Sequence, residues 1–244
     1  MTTIVSAFIS NVNFREDVNF DKYCQLGKLL LKSTTQKIIF LDDIMYNYIK
    51  NEDFNKENTL IIKYNKDECY LYNYLDKLHK FNLHTDNPKK DTLEYILIMC
   101  NKTEWIRKAI KNDIFNSKNF IWIDFGIRKL FDCSDDIFIE ILNNLYFKTY
   151  EKIRIGSIWN LSIKHNYIDT SKQIIWYFAG SVFGGDKKSL LNFADRMKDK
   201  CIEIIINHNT IMWEVNIWYF LYLDYPELFE PYQCDHNNTI LNNY

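Results

Sequence analysis

The feature that most constrains the fold of this chain is a series of short apolar runs separated by segments with helical spacing. The runs TIVSAFIS, KIIFLDD and TLIIKY are apolar without a regular alternation of polar residues. A strand of this kind is buried on both faces, which is typical of a mainly parallel sheet with helices on each side. We therefore expect an α/β fold. The predicted strands are 3–10, 37–43, 59–64, 119–127, 152–159 and 173–185.

Apolar residues at helical spacing predict the helices that alternate with these strands. The predicted helices are 20–33, 103–115, 135–147, 186–209 and 212–229. We expect a small antiparallel subsheet in the later part of the chain and an irregular tail from residue 231. Since no Pro/Gly/Ser-rich linker, repeat or low-complexity tract occurs in the sequence, a single domain, 1–244, is expected.

Charge and cysteine usage narrow the class of function. The 30 basic and 32 acidic residues leave a net charge of −2 with no block of Lys or Arg, which argues against a nucleic-acid partner. The six cysteines form no C-x-x-C pair, so buried thiols in a reducing compartment are expected. There is no apolar run of about 18 residues and no basic leader. A soluble cytoplasmic protein with no membrane span is expected, either in a bacterium or in a host cell if the source is viral.

Ligands of open α/β sheets bind beyond the carboxyl ends of the strands, so polar residues at those positions are candidate site residues. Asp124 directly follows the apolar run FIWI, and Gly126 leaves open space above it. Asp124 is either a ligand-binding carboxylate or a turn or helix-capping aspartate. The same two interpretations apply to the pair Asp42–Asp43, for which the strand-end interpretation is favoured. Neither G-x-G-x-x-G after the first strand nor G-K-[ST] occurs, which argues against a dehydrogenase and a P-loop kinase.

The stretch FAGSVFGGD, residues 178–186, holds three of the six glycines of the chain. Glycine is favoured where the backbone needs a positive φ or where another group approaches closer than a Cβ allows. We predict that 173–185 is a strand that enters a glycine loop in this stretch, and that the loop is either a tight turn or the floor of a binding site.

Four segments, FIWIDFGI, WYFAGSVFGG, MWEVNIW and DYPELFEPYQCDHNNTI, occur in this order after the opening IVSAFIS. Together they resemble the HtrL/YibB-type family of glycosyltransferase-like proteins. A more distant resemblance is to the blood-group-type retaining galactosyl- and N-acetylgalactosaminyltransferases. Their aspartate-x-aspartate strand end, GGFFGG loop and glutamate after a tryptophan correspond here to Asp124, 179–185 and Glu214. The resemblance implies a GT-A type nucleotide-sugar-binding fold and a nucleotide-sugar donor, foremost a UDP-sugar.

The resemblance also implies roles for individual residues. Glu214 and Asn216 are the implied catalytic residues, with Glu214 beside the anomeric carbon as nucleophile or as stabiliser of an oxocarbenium-like charge. The implied donor-binding residues are Ser6, Phe8, Asp42, Lys102, Asp124 and Gly126. The implied acceptor-binding residues are Trp176, Ala179, Gly180, Phe183, Gly184 and Gly185.

A divalent cation, Mn²⁺ or Mg²⁺, is the cofactor that the resemblance implies, with Asp124 and His236 as its ligands. The sequence departs from the pattern because Gly126 stands where the second aspartate would be. His236 is the expected substitute, with Asp235 as the alternative. A third possibility is a site without a cation, in which Lys102 or Arg128 carries the phosphate charge.

These observations predict a glycosyltransferase, retaining in its stereochemistry, that transfers a sugar from a nucleotide-diphospho-sugar to a glycan or protein acceptor. Two alternatives remain open. One is a catalytically silent member of the fold that binds sugars or a partner. The other is a metal-dependent nucleotidyl- or phosphotransferase in which the same Asp124 holds metal-bound phosphates.

Overall fold

A computed structural model describes residues 1–13, 20–165 and 171–244. Its strands are β1 (Thr2–Phe8), β2 (Lys37–Leu41), β3 (Thr59–Lys63), β4 (Asn119–Ile123), β5 (Ile153–Ser157), β6 (Phe178–Asp186) and β7 (Phe229–Gln233). Its helices are α1 (Ser10–Asn13), α2 (Phe20–Lys32), α3 (Asp43–Ile49), α4 (Leu93–Cys100), α5 (Lys102–Lys111), α6 (Asp135–Asn144), α7 (Lys187–His208), α8 (Glu214–Asp224) and α9 (Thr239–Asn242).

All seven strands form one sheet, in the order β3-β2-β1-β4-β6-β5-β7. Strands β1 to β4 run parallel to one another, and β7 runs parallel to β5. Strand β6 is antiparallel to both of its neighbours, β4 and β5. The predicted α/β class, a mostly parallel sheet with helices and a small antiparallel part, is therefore confirmed.

Helices cover both faces of the sheet, and each face has its own apolar layer. Successive residues of β1 point into opposite layers, Ile4 into one and Val5 into the other, as the two-residue period of a strand requires. Helices α4, α5, α7 and α8 pack on the Val5 side, and α2, α3, α6 and α9 on the Ile4 side. This two-sided burial explains why the early strands are apolar along their whole length.

The antiparallel β6 brings its beginning to the edge where β4 ends. Val182 pairs with Ile123, and the Asp124 N–H donates to the Ser181 carbonyl at 3.0 Å. Gly180 therefore lies beside the residues that follow β4. The other end of β6, at Gly184 and Gly185, lies at the opposite edge, since Gly185 pairs with Phe120 near the start of β4.

The predicted glycine loop is wrong, because 178–186 is the strand β6 itself. None of the six glycines has a positive φ. The glycines instead permit close approach. A Cβ on Gly184 would lie 2.6 Å from the Phe120 carbonyl oxygen, and one on Gly185 would lie 2.7 Å from the Lys152 carbonyl oxygen.

One further prediction about the elements is wrong. The tail is not irregular, because β7 pairs with β5, and α9 buries Ile240 and Leu241 in the core. The helix predicted within 212–229, with its end near Pro226, ends at Asp224, and a 3₁₀ turn over Pro226–Leu228 leads into β7. Since β7 is an edge strand, Pro231 can stand inside it without removing a needed hydrogen bond.

Candidate functional site

A cavity of about 350 Å³ opens at the edge of the sheet where β1 and β4 end and β6 begins. It is lined by the end of β1, the residues after β4, the beginning of β6 and the first residues of α5 and α8. This is the edge at which open α/β sheets bind their ligands, and the volume is in the range of small-molecule pockets.

A buried lysine joins the polar groups of this cavity. Lys102, the first residue of α5, is 2% exposed. Its Nζ lies 3.1 Å from Asp124 Oδ1 and 2.9 Å from Glu214 Oε1, and it donates to the Gly180 carbonyl at 2.9 Å. These three partners come from the end of β4, the start of α8 and the start of β6. A single ammonium group thus ties together the three elements that form the cavity floor.

The two carboxylates of this cluster differ in exposure and in partners. The Asp124 side chain is 36% exposed, and its Oδ1 also accepts a 2.7 Å hydrogen bond from Trp122 Nε1. Glu214 is 4% exposed and begins α8, where the helix dipole favours a negative charge. Its second oxygen, Oε2, is buried without a hydrogen-bond partner among the described residues. A buried carboxylate oxygen without a partner is costly, so a ligand group that donates to it would be stabilised.

Electrostatics keep Lys102 charged. Burial opposes its charge, but the carboxylates of Asp124 and Glu214 outweigh burial and raise the pKa of the ammonium above its ordinary value. Burial, together with Glu214 and Asp124, also raises the pKa of the Tyr95 hydroxyl well above its ordinary value. One ammonium between two carboxylates leaves the cluster with one net negative charge.

Aromatic side chains form much of the remaining wall. The Trp213 and Tyr95 rings meet edge to face at 6.0 Å, and the Lys90 ammonium lies 5.2 Å and 5.0 Å from their centroids. Across the cavity lining, the His236 ring stands edge-on to Trp176 at 4.3 Å. Flat aromatic faces of this kind suit stacking against sugar rings and nucleobases.

Asn216 supports this wall from behind. It is fully buried, and its Oδ1 accepts from the Ile175 N–H at 2.8 Å while its Nδ2 donates to the Gln173 carbonyl at 2.8 Å. The segment it holds carries Ile174 and Trp176 into the cavity lining. The amide therefore positions the wall, and the structure does not place it in the cavity.

The structure brings together eight of the residues implied by the resemblance. They line the same cavity and are Phe8, Lys102, Asp124, Gly126, Trp176, Gly180, Glu214 and His236. The strand ends and the start of α8 converge there because β6 runs antiparallel and so begins where β4 ends.

The other implied site residues lie elsewhere. Ser6 is buried inside β1, and Asp42 caps α3, accepting from the Met45 N–H at 2.9 Å and from the Ser10 N–H at 2.7 Å. Of β6, Ala179, Phe183, Gly184 and Gly185 do not line the cavity. Phe183 packs in the core instead, with its ring centroid 5.0 Å from that of Trp218.

The alternative phosphate-binding residue Arg128 is engaged in local structure. It donates to the Phe131 and Cys133 carbonyls and pairs with Asp135 at 3.0 Å. It lines a larger concavity of about 620 Å³, beside α2, that also holds the ion pair Lys28–Glu52. The smaller cavity remains the candidate site, because the strand ends and the buried carboxylates converge on it and not on the larger concavity.

Two cavity residues, Lys90 and Tyr95, were missed at the level of sequence. Tyr95 belongs to α4, whose segment LEYILIMC is apolar nearly all round and so lacks a helical periodicity. Lys90 precedes it in a loop that gives no pattern at all. No sequence pattern around Lys90 and Tyr95 distinguishes these two residues from ordinary surface and core residues.

The residues at the cavity do not fit the implied divalent cation. The implied ligands are Asp124 and His236, and a cation held by Asp124 would lie about 2.0–2.6 Å from its carboxylate oxygen. The space between Asp124 Oδ1 and Glu214 Oε1 is taken by the Lys102 ammonium, which contacts both. Within the described ranges, no three His, Cys, Asp or Glu side chains come together as a metal site. His236 packs on Trp176.

Among residues 1–13, 20–165 and 171–244, no helix has both the length and the apolar character needed to cross a membrane.

Comparisons with known proteins give one family and several similar folds. A family model described as "Bacterial protein of unknown function (HtrL_YibB)" matches residues 2–239. No curated protein matches the sequence significantly.

Several solved structures resemble the chain at low sequence identity. Apo mouse xyloside xylosyltransferase 1 is 11% identical with a TM-score of 0.45, over 96% of this chain and 86% of that one. The 4-diphosphocytidyl-2C-methyl-D-erythritol synthase of Anaerococcus prevotii is 10% identical with a TM-score of 0.46, over 96% and 87%. A glycosyltransferase involved in the glycosylation of the major capsid of PBCV-1 is 11% identical with a TM-score of 0.40, over 95% and 81%.

Proposed function

This chain belongs to the HtrL_YibB family, and we propose that it is a glycosyltransferase. It transfers a sugar, with retention, from a nucleotide-diphospho-sugar to a glycan or protein acceptor. A UDP-sugar is the first donor to test. The observation that carries the proposal is the buried Glu214 carboxylate, whose Oε2 has no hydrogen-bond partner among the described residues. It lies in an aromatic-lined cavity at the ligand-binding edge of the sheet.

The charge of the cluster suits the chemistry of glycosyl transfer. When the bond between the anomeric carbon and the diphosphate oxygen breaks, the diphosphate leaves with the electron pair and positive charge develops on the sugar. A carboxylate fixed nearby stabilises that charge without having to reorganise. Lys102 holds Glu214 through Oε1, at 2.9 Å, and Oε2 has no hydrogen-bond partner among the described residues.

The aromatic wall supports the same proposal. Trp176 and Trp213 offer flat apolar faces to a sugar or a base, and Trp213 Nε1 is buried without a hydrogen-bond partner among the described residues. These faces would order the donor relative to Glu214, which turns binding energy into correct orientation.

The test is a panel of nucleotide-sugars, scored by thermal stabilisation and by release of free sugar. A donor present at about 100 times its Kd adds roughly 2.7 kcal/mol to the stability of the folded state. Binding with sugar release supports the proposal. Binding without turnover in the presence of acceptors would point to a silent member of the fold, and transfer of the nucleotide itself would point to a nucleotidyltransferase. If no nucleotide-sugar stabilises the protein, the proposal is wrong.

The first specific prediction concerns Glu214→Gln. Glutamine keeps the volume and can still accept from Lys102, but it removes the negative charge that the transition state needs. We expect turnover to fall by about 10²-fold or more, with donor affinity nearly unchanged. The matched control is Glu227→Gln, an exposed glutamate in the turn before β7. Wild-type turnover in Glu214→Gln, measured by sugar release, would end the assignment of this residue.

A further inference from the structure

The Lys102 ammonium occupies the space between two carboxylates of the cavity. We propose that the protein binds its diphosphate ligand without a divalent cation, with the Lys102 ammonium in the place that such a cation would take. The nature of the ligand rests on the proposed function, whereas the role of Lys102 rests on its own contacts.

Geometry is the first support. The Lys102 Nζ lies 3.1 Å from Asp124 Oδ1 and 2.9 Å from Glu214 Oε1, so the implied cation ligand Asp124 and the neighbouring Glu214 are bridged by an ammonium. Its third contact is a carbonyl oxygen, that of Gly180, at 2.9 Å. Two carboxylates and a carbonyl are the ligands that Mg²⁺, Mn²⁺ and Ca²⁺ prefer. The lysine therefore satisfies a set of oxygen ligands that otherwise suits a hard cation.

Burial is the second support. Lys102 is 2% exposed, and a charged side chain at this depth is stable only where it is paired. A cation entering between Asp124 and Glu214 would have to expel the ammonium from its three partners. The lysine also begins α5, where the helix dipole disfavours a positive charge. Its position is therefore maintained by the carboxylates and the carbonyl, against the local dipole.

The charges of the cavity lining are the third support. Three lysines line the cavity, Lys90, Lys102 and Lys129, against two carboxylates, Asp124 and Glu214. Lys90 is held over the Tyr95 and Trp213 rings and lies 3.5 Å from Asp91 Oδ1. Lysine binds phosphate as a point charge, so Lys90 and Lys129 can meet a diphosphate without a metal, while Lys102 neutralises the carboxylates beside them.

Titration of Mn²⁺ into the ligand-free protein, followed by the EPR signal of free Mn²⁺, tests the position directly. Wild type is expected to bind no Mn²⁺ at this site. Lys102→Met opens the space between the carboxylates and should gain at least about tenfold in Mn²⁺ affinity. Adding Asp124→Asn to Lys102→Met should remove the gain. The matched control is Lys108→Met on the same helix, whose lysine pairs with the half-exposed Glu68 at 3.1 Å.

A second measurement keeps the inference testable even if Lys102→Met does not fold. Binding of UDP to wild type is measured by calorimetry in EDTA and in Mn²⁺, and the two Kd values should agree within about twofold. UDP that binds only with Mn²⁺ would overturn the inference. So would one tightly bound Mn²⁺ in wild type that Asp124→Asn removes, or a folded Lys102→Met that gains no Mn²⁺ affinity. UDP that binds in neither medium contradicts the proposed function, and the Mn²⁺ titration still decides the inference.

Discussion

Among single residues, Gly180 leaves the space that the Glu214 carboxylate occupies. A Cβ on Gly180 would lie 2.8 Å from Glu214 Oε1 and 3.1 Å from Val215 Cγ1. Real Cβ atoms do not approach so closely, so the carboxylate would have to move and Lys102 would lose one of its partners. The glycine is required here by space and not by backbone conformation, since its φ is not positive.

We therefore expect Gly180→Ala to affect the site more than the fold. The displaced carboxylate should lower turnover at least about tenfold, as misplacement of a catalytic group does, while the loss of stability should be smaller than that caused by a clash with backbone. The contrast is Gly184→Ala at the other end of the same strand, where a Cβ would lie 2.6 Å from the Phe120 carbonyl oxygen. That clash is with backbone, so Gly184→Ala should lose stability in urea denaturation. Equal losses of stability in both variants would contradict this division.

Some residues of the candidate site could be predicted from the sequence, and others could not. Asp124 could be predicted because a carboxylate after a buried strand must emerge at the sheet edge. Glu214 and Lys102 came from the resemblance, and no local pattern distinguishes Lys102 from an ordinary first-turn lysine. The contact between them depends on elements far apart in the chain, which spacing alone does not encode. Asn216 was assigned to the chemistry, but its amide bonds to backbone behind the wall.

Among the elements, the segment 173–177 before β6 is hydrogen-bonded to α8 through one side chain. Asn216 accepts from the Ile175 N–H and donates to the Gln173 carbonyl, both at 2.8 Å. The segment is also held at its end next to β6, where the Trp159 N–H donates to the Trp176 carbonyl at 3.0 Å and the Ile158 N–H donates to the Tyr177 carbonyl at 2.9 Å. The segment places Trp176 against the cavity, so its order and the shape of the site are linked.

Asn216→Ala should therefore loosen one wall without unfolding the molecule. Losing two buried hydrogen bonds is expected to cost about 1–3 kcal/mol. Hydrogen exchange should accelerate at the Ile175 amide, while the amides of β4 stay protected. Asn192→Ala on α7 is the control, because its side chain is exposed and accepts a hydrogen bond from Arg196 on the same helix. An unchanged exchange rate at Ile175 would show that other contacts hold the segment.

Elements with one dominant signal were predictable, and those with mixed signals were not. The strands β1 to β4 are apolar throughout, and α7 has clear helical spacing. In contrast, α4 is apolar on most sides and has no periodicity, and β7 is a half-buried edge strand of five residues, FEPYQ. Glycine occurs in loops and in strands, so the secondary structure of 178–186 could not be assigned from its sequence. Its antiparallel pairing with β4, a long-range contact, makes this segment a strand.

At the scale of the whole molecule, the two edges of the sheet carry different buried charges. The carboxyl edge holds the Lys102 cluster with its carboxylates. At the opposite edge, Lys37 begins β2 and is fully buried, with the Ser33 carbonyl at 2.7 Å and Asn58 Oδ1 at 3.2 Å as its acceptors. These acceptors and the third, Thr59 Oγ1 at 3.5 Å, are neutral, and burial lowers the pKa of Lys37 from 10.5 to about 7.

The depressed pKa of Lys37 makes the stability of the whole fold depend on pH. Between about pH 7 and 10.5 the unfolded chain binds a proton that the folded chain does not, so the free energy of unfolding should rise with pH, by up to about 1.4 kcal/mol per unit. Below that range both states are protonated and the full cost of the buried charge is present. Lys37→Met cannot bind the proton and should flatten the dependence, with its largest stabilisation at low pH. Urea denaturation from about pH 6 to about pH 9.5 measures the slope, with the exposed Lys32→Met as control. If the slope persists in Lys37→Met, another group causes it, and the burial of Lys37 carries no such cost.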